Sequence, residues 1–306
     1  MKLREKIRQY IPVEQFLRLL NRIVLPGFAK IPLGEIFRFY AMGIQKSSLS
    51  NRAAAVSFRF FMALFPGLIF LITLIPYIPI PDFSNKLMLG IEQILPSELF
   101  TLLEKTIKDA VHDRKTGLLS IGFVAAVFFA TNGMNGLMQA FNDSAFITET
   151  RSVFRHRLAA FLLTVFAFLT FVIGLFLLVY INRTLIHWLK LKYISHLIFT
   201  LLSFLKWSVL TTLIYFYVAT IFYFAPSRSM RWNYFSVGAL VSTLFCILFT
   251  FLTSVYIDNF SKFNQIFGLL GSFPIVLIWM FLNSLSLLIG FELNVSIRHV
   301  DYRKNR

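Results

Sequence analysis

The stretch Phe263–Asn294 decides the fold, and it reads FNQIFGLLGSFPIVLIWMFLNSLSLLIGFELN. From Phe263 to Phe291 it runs for 29 residues without Asp, Glu, Lys or Arg. At about 1.5 Å of rise per residue, a helix of this length is longer than the roughly 30 Å hydrocarbon core of a bilayer. The run ends at Glu292 and Asn294. It therefore predicts a transmembrane helix that carries a carboxylate and an amide near one membrane surface.

The composition of the whole chain agrees with a membrane protein. Of its 306 residues, 57% are hydrophobic and only 14% are charged, whereas a soluble domain has about 25% charged residues. The net charge of +16 is typical either of nucleic-acid binding or of the basic cytoplasmic loops of a membrane protein. The second interpretation fits the hydropathy, so we expect no nucleic-acid partner. A single cysteine, Cys246, excludes an intrachain disulfide and a cysteine-based metal cluster, and no cofactor is predicted.

Six charge-free runs reach membrane-spanning length, and β-barrel strands of about ten residues are too short to account for them. The prediction is an all-α, polytopic membrane protein. Its transmembrane domain covers residues 53–297. The six spans are predicted near residues 53–77, 117–141, 158–181, 198–224, 233–257 and 266–292.

The Lys and Arg residues indicate the orientation. Nineteen of them lie on the side of the two termini and nine on the other side, so both termini are predicted to be cytoplasmic, with a basic tail at 298–306. Residues 1–52 are predicted to form amphipathic helices, which either bind anionic lipid headgroups or serve as a docking collar for the bundle. Residues 78–116 are predicted to form an extracytoplasmic helical hairpin, either a moving lid or a fixed cover. Membrane lipids are the expected partners.

Polar residues within the spans are the candidate functional groups. Arg59 lies one to two turns inside the first span, and Asn132 and Asn135 lie in the second, within the sequence TNGMNG. Such groups are costly in hydrocarbon unless they are paired. The TNGMNG segment therefore predicts either a discontinuous helix at a binding site or hydrogen bonds between packed helices. Pro66 and Pro274 predict kinks in the first and last spans.

The last span supplies the remaining candidates, Asn283, Glu292 and Asn294. On the predicted topology, Arg59 and Glu292 lie at similar depth, so we expect either an ion pair between them or two side chains that reach the headgroups separately. Asn283 and Asn132 each follow a Gly-Leu-Leu segment at the same distance. This spacing is either a parallel repeat or a coincidence.

Several segments resemble the YihY/virulence factor BrkB family. They are Phe224-Ala225-Pro226, the glycines Gly268 and Gly271, Leu277-Ile278-Trp279, the segment from Gly290 to Asn294, and the Ala-rich start of the first span. The resemblance covers roughly residues 40–297. It implies a six-helix protein of the bacterial inner membrane, in a family that once carried a ribonuclease BN label.

The residues do not favour a ribonuclease. The five histidines are scattered over both sides of the predicted bundle, and neither a phosphate-binding glycine loop nor a carboxylate cluster accompanies them. We therefore expect no enzyme activity. Two functions remain: a transporter or lipid-handling protein whose polar residues line a cavity between spans one, two and six, or a membrane scaffold in which the same residues only join helices.

Overall fold

The computed structural model describes residues 48–74, 116–144, 151–190, 196–227, 233–259 and 269–304. Within these ranges all regular structure is α-helical, and the predicted number of six membrane-spanning helices is confirmed. The helices are α1 Leu49–Leu74, α2 Thr116–Asn142, α3 Val153–Lys190, α4 His196–Phe224, α5 Val237–Asn259 and α6 Leu269–Lys304.

The six helices form a ring in chain order. Each helix packs against its neighbours in the sequence, and α6 closes the ring against α1. Successive helices run in opposite directions. The starts of α1, α3 and α5 therefore lie at the same end of the bundle as the ends of α2, α4 and α6. We call this end the polar end, because buried polar side chains join the helices there.

The buried core lies toward the polar end. Its centre consists of three phenylalanine rings, one each from α2, α4 and α6: Phe141, Phe222 and Phe291. The rings of Phe141 and Phe291 stack with centroids 4.2 Å apart, and the ring of Phe222 contacts both edge-on at 5.5 and 5.6 Å. These three residues, which we call the phenylalanine plug, close the axis of the ring at this end.

The same three helix faces are more exposed at the opposite end. Eighteen residues make five turns of helix, so Phe123, Phe204 and Phe273 lie on the faces that carry the plug, five turns away. Their exposed fractions are 52%, 73% and 36%, whereas the plug residues are 0–2% exposed. Among the described residues, the helices therefore pack tightly at the polar end. Toward the other end these faces are partly exposed, and the rings of Phe123 and Phe273 contact phenylalanine rings of α1.

Several boundaries differ from the predicted ones. The first helix begins at Leu49 and so includes Arg52, and the third continues to Lys190. The last helix continues to Lys304, through most of the segment predicted as a separate basic tail. The chain remains α-helical on both sides of Pro66 and Pro274. The amphipathic helices predicted before residue 48 and the hairpin predicted at 78–116 lie outside the described residues, except for Thr116 at the start of α2.

Candidate functional site at the polar end

A buried ion pair joins the first helix to the last. Arg52 Nη2 donates to Glu292 Oε1 at 2.6 Å, and the two side chains are 9% and 1% exposed. The second carboxylate oxygen accepts a hydrogen bond from Ser144 Oγ at 2.9 Å. Arg52 Nη1 donates to the carbonyl oxygen of Ala140 at 2.5 Å. The cluster therefore connects α1, α6 and the end of α2 within the protein interior.

The partner of Glu292 is Arg52, so the ion pair with Arg59, one of the two alternatives considered from the sequence, is not what the structure contains. Arg59 lies seven residues, or about two helical turns, further into the membrane, and its Nη1 donates to Gln139 Oε1 at 2.8 Å. That alternative came from the predicted start of the span, because residue 52 was assigned to the interfacial segment. The sequence did contain a signal for Arg52 as an alternative partner of Glu292. Arg52 lies seven residues before Arg59, which places the two arginines on one helix face.

The glycines of TNGMNG provide space for α1. A Cβ atom on Gly133 would overlap the ring of Phe60, and one on Gly136 would overlap the side chain of Arg59. Helix α2 continues without interruption through this segment. A discontinuous helix is therefore not what the structure contains, and close helix packing accounts for the two glycines.

The predicted intramembrane amides do not come together. Asn132 is exposed on the surface of α2, and Asn135 is half-buried on the same helix. Asn283 Nδ2 donates to the carbonyl oxygen of Trp279, one turn earlier in α6, at 2.8 Å. The structure therefore does not place Asn132 and Asn283 opposite each other at the bundle centre, as a functional repeat would require.

Asn294 caps the start of α5. Its Oδ1 accepts a hydrogen bond from the backbone N–H of Gly238 at 2.8 Å, and its Nδ2 donates to Ser236 Oγ at 2.8 Å. Ser236 Oγ also accepts the N–H of Ala239 at 3.3 Å. The first N–H groups of a helix have no partners within the helix. Asn294 supplies one of those partners from α6.

Removing the Asn294 cap is expected to destabilise the protein. We expect Asn294→Ala to lower the free energy of unfolding by about 1–2 kcal/mol, the usual cost of losing a capping side chain. The measurement is a denaturant titration of the purified protein in mixed micelles. Asn283→Ala is the matched control, because that amide contacts a carbonyl of its own helix. Equal losses for the two variants would contradict the capping role.

Close packing of α5 and α6 continues next to the cap. A Cβ atom on Gly290 would overlap Ser242 Oγ and the carbonyl oxygen of Gly238, and one on Gly238 would overlap the carbonyl oxygen of Gly290. Ser242 Oγ also donates to the carbonyl oxygen of Ser286 at 2.9 Å. Small residues thus let the two backbones meet directly, as at many membrane helix contacts.

The end of α4 is tied to α2 and α3. The guanidinium of Arg151, just before α3, donates to the carbonyl oxygens of Phe224 and Ala225, both at 3.1 Å, and to that of Pro226. The backbone N–H of Ser227 donates to Asn142 Oδ1 at 3.0 Å. The terminal carbonyls of a helix lack partners and carry partial negative charge. Arg151 therefore caps α4, in the Phe-Ala-Pro turn that the sequence resemblance includes.

The described residues of the polar end hold helices together. In the described ranges, no group of three or more His, Cys, Asp or Glu side chains is placed to hold a metal ion. Both oxygens of the Glu292 carboxylate have hydrogen-bond donors, and the side chain is sealed from solvent. The site therefore binds helices to one another through charge, capping and small-residue contacts.

Comparison with known proteins identifies a family and two relatives. The family described as Virulence factor BrkB matches residues 41–306. The chain is 28% identical over 266 residues to the "Putative ribonuclease-like protein YfkH" of Bacillus subtilis, a match covering 86% of this chain and 93% of that protein. It is 33% identical over 79 residues to the "UPF0761 membrane protein IL2447" of Idiomarina loihiensis, covering 26% of this chain and 28% of that protein. No solved structure matches the chain.

Proposed function

Because the chain belongs to the Virulence factor BrkB family and is a multi-pass bacterial membrane protein, we propose that it moves apolar or amphipathic molecules along the axis of its helix ring. The observation that carries the proposal is the contrast along that axis. The phenylalanine plug is buried, whereas Phe123, Phe204 and Phe273, five turns away on the same faces, are exposed. We interpret this contrast as a pathway that is open at one end and closed at the other.

The lining indicates the class of substrate. The three exposed positions named above carry aromatic rings, which bind acyl chains and other apolar groups better than hydrated ions. Lipids and amphipathic molecules therefore fit this lining. In one of the two functions considered from the sequence, Asn132, Asn135, Asn283 and the Arg59/Glu292 region line one polar cavity. The present proposal instead assigns the pathway to the aromatic faces and Glu292 to the closed end.

The orientation and the gate follow from the same assignment. The excess of Lys and Arg on the side of the termini favours the polar end as the cytoplasmic end. The plug and the Arg52–Glu292 pair then form a closed cytoplasmic gate. In this proposal, passage requires the rings of Phe141, Phe222 and Phe291 to separate.

Enzyme activity is not part of the proposal. The ribonuclease-like name belongs to the Bacillus relative, whereas other relatives are named only as membrane proteins. A ribonuclease also needs groups that converge on a phosphodiester. The polar side chains of the described polar end are instead engaged in contacts between helices, which gives the ribonuclease name no support.

One observation favours a scaffold as the second candidate. At the polar end, α1, α2 and α6 pack closely, and the Glu292 side chain between them is 1% exposed. A closely packed bundle joined by an ion pair and hydrogen bonds suits a protein that holds other membrane components without transporting anything. The scaffold hypothesis predicts no flux through the purified protein.

Flux through proteoliposomes separates the two candidates. The purified protein is reconstituted, and the transbilayer movement of a fluorescent phospholipid is measured. We expect Phe222→Leu to speed this movement about tenfold, because weakening the plug by about 1.4 kcal/mol lowers the barrier by that factor. Phe168→Leu on the exposed face of α3 is the matched control. Rates equal to those of protein-free liposomes for the wild type and both variants would support the scaffold instead.

A further inference from the structure

Six residues of α2 recur at alternating spacings of four and three. This series, which we call the outer stripe, consists of Ile121, Ala125, Phe128, Asn132, Asn135 and Gln139. Alternating spacings of four and three are those of the contact seam in paired helices. In the structure four members of the stripe are exposed, and Ala125 and Asn135 are half-buried. Within the part of the chain that the structure describes, the stripe is thus a largely exposed face with the spacing of a helix–helix contact.

The outer stripe faces away from the bundle. The neighbouring face of α2, with Gly133 and Gly136, packs against Phe60 and Arg59 of α1. The opposite face carries Phe141 into the plug. The stripe is therefore the part of α2 that is directed outward, into the membrane.

Amides at these positions are costly in a lipid environment. Asn132 is ten residues from the end of α2 at Asn142, or about 15 Å along the helix, too deep for a short side chain to reach the headgroups. Within the described part of the chain, neither Asn132 nor Asn135 makes a side-chain hydrogen bond. Unsatisfied polar groups in hydrocarbon each cost several kcal/mol. A partner that supplies donors and acceptors at this depth would remove that cost.

We propose that a second copy of this chain is that partner, and that two protomers pair through the outer stripes of their α2 helices. An amide carries both a donor and an acceptor, so a row of amides is complementary to an identical row. Two copies with the same orientation are related by a two-fold axis along the membrane normal. That axis brings each residue of the seam close to its own counterpart.

The apolar end of the stripe continues the same contact. Ile121 and Phe128 precede the amides in α2 and are exposed, so they extend the seam with apolar packing. Arg59 lies beside the seam, and its hydrogen bond to Gln139 orients that amide. The pairing leaves the axis of each helix ring free. It is therefore independent of the transport proposal and compatible with a scaffold.

Cysteine cross-linking in native membranes tests the pairing. Cys246→Ser removes the one native cysteine, and Phe128→Cys, Asn132→Cys and Gln139→Cys are then introduced singly. Leu162→Cys on α3 is the matched control. Leu162 is exposed to a similar extent as Phe128, and it lies about ten residues from the polar end of its helix. Each variant is oxidised with copper phenanthroline and analysed on non-reducing gels.

We expect covalent dimers at the three stripe positions and none at Leu162. Absence of dimers at all three stripe positions, or equal dimer formation at Leu162, would overturn the proposal, and lipid would then be the occupant of the stripe. A second measurement uses energy transfer between labelled protomers in liposomes. Asn132→Leu is expected to weaken association about threefold to twentyfold, the range measured for membrane hydrogen bonds. Unchanged association in that variant would also contradict pairing through the amides.

Discussion

Replacing Arg52 with methionine is expected to lower the free energy of unfolding by about 3–5 kcal/mol. The change removes the partner of Glu292, whose side chain is 1% exposed, and a buried charge without compensation costs about that much. The measurement is a denaturant or SDS titration of the purified protein in mixed micelles, followed by circular dichroism. The stability of most proteins is about 5–15 kcal/mol. The expected loss is therefore a large part of the total.

Arg59→Met is the matched control for this prediction. Arg59 is half-buried and its partner in the structure is the neutral Gln139, so we expect a loss of only about 1 kcal/mol. The double variant Arg52→Met/Glu292→Met should recover much of the loss of Arg52→Met, because it buries no unpaired charge. Equal effects of Arg52→Met and Arg59→Met, or no recovery in the double variant, would contradict the ion pair as described.

Gly290→Ala is expected to lower the free energy of unfolding by about 3 kcal/mol, the upper part of the range for overpacking. The new methyl group would overlap the carbonyl oxygen of Gly238 and Ser242 Oγ. A backbone atom does not move aside as a flexible side chain does, so α5 and α6 must separate. Separation also weakens the Asn294 cap, since that amide bridges the same two helices.

Gly67→Ala provides the opposite result in the same protein. A Cβ atom on Gly67 in α1 would meet nothing within 4 Å, and alanine favours a helix by about 1 kcal/mol over glycine. This variant should therefore be unchanged or slightly more stable. If Gly290→Ala proves as stable as Gly67→Ala, the direct backbone contact between α5 and α6 is incorrect.

The number and type of helices could be predicted because hydrocarbon imposes a simple rule. A span must be long, apolar and helical, and six segments of this sequence meet that rule. The ends of the helices could be predicted less accurately, because they are set by contacts outside the apolar runs. Leu49 and Arg52 fall in a polar-looking segment, yet the pairing of Arg52 with Glu292 draws that turn into the bundle.

The candidate site was predictable only in part. A polar residue in a span indicates that its side chain is costly to bury in the membrane, but it does not indicate which residue is its partner. Glu292 and Asn294 were candidate functional residues of the last span, and in the structure their partners are Arg52 and the first turn of α5. The phenylalanine plug left no signal, because the chain contains 37 phenylalanines and only their packing distinguishes three of them. The outward direction of Asn132 depended likewise on which face of α2 its neighbours occupy.

The ion pair between the first and last helices can form only late in synthesis, after the last helix has been made. Arg52 and Glu292 are 240 residues apart in the chain. At about 5–20 residues per second, a ribosome needs about 12–48 s to make that length. During this interval the newly inserted first helix carries a guanidinium whose carboxylate does not yet exist. The insertion machinery or nearby lipid headgroups must therefore stabilise Arg52 until the final helix arrives.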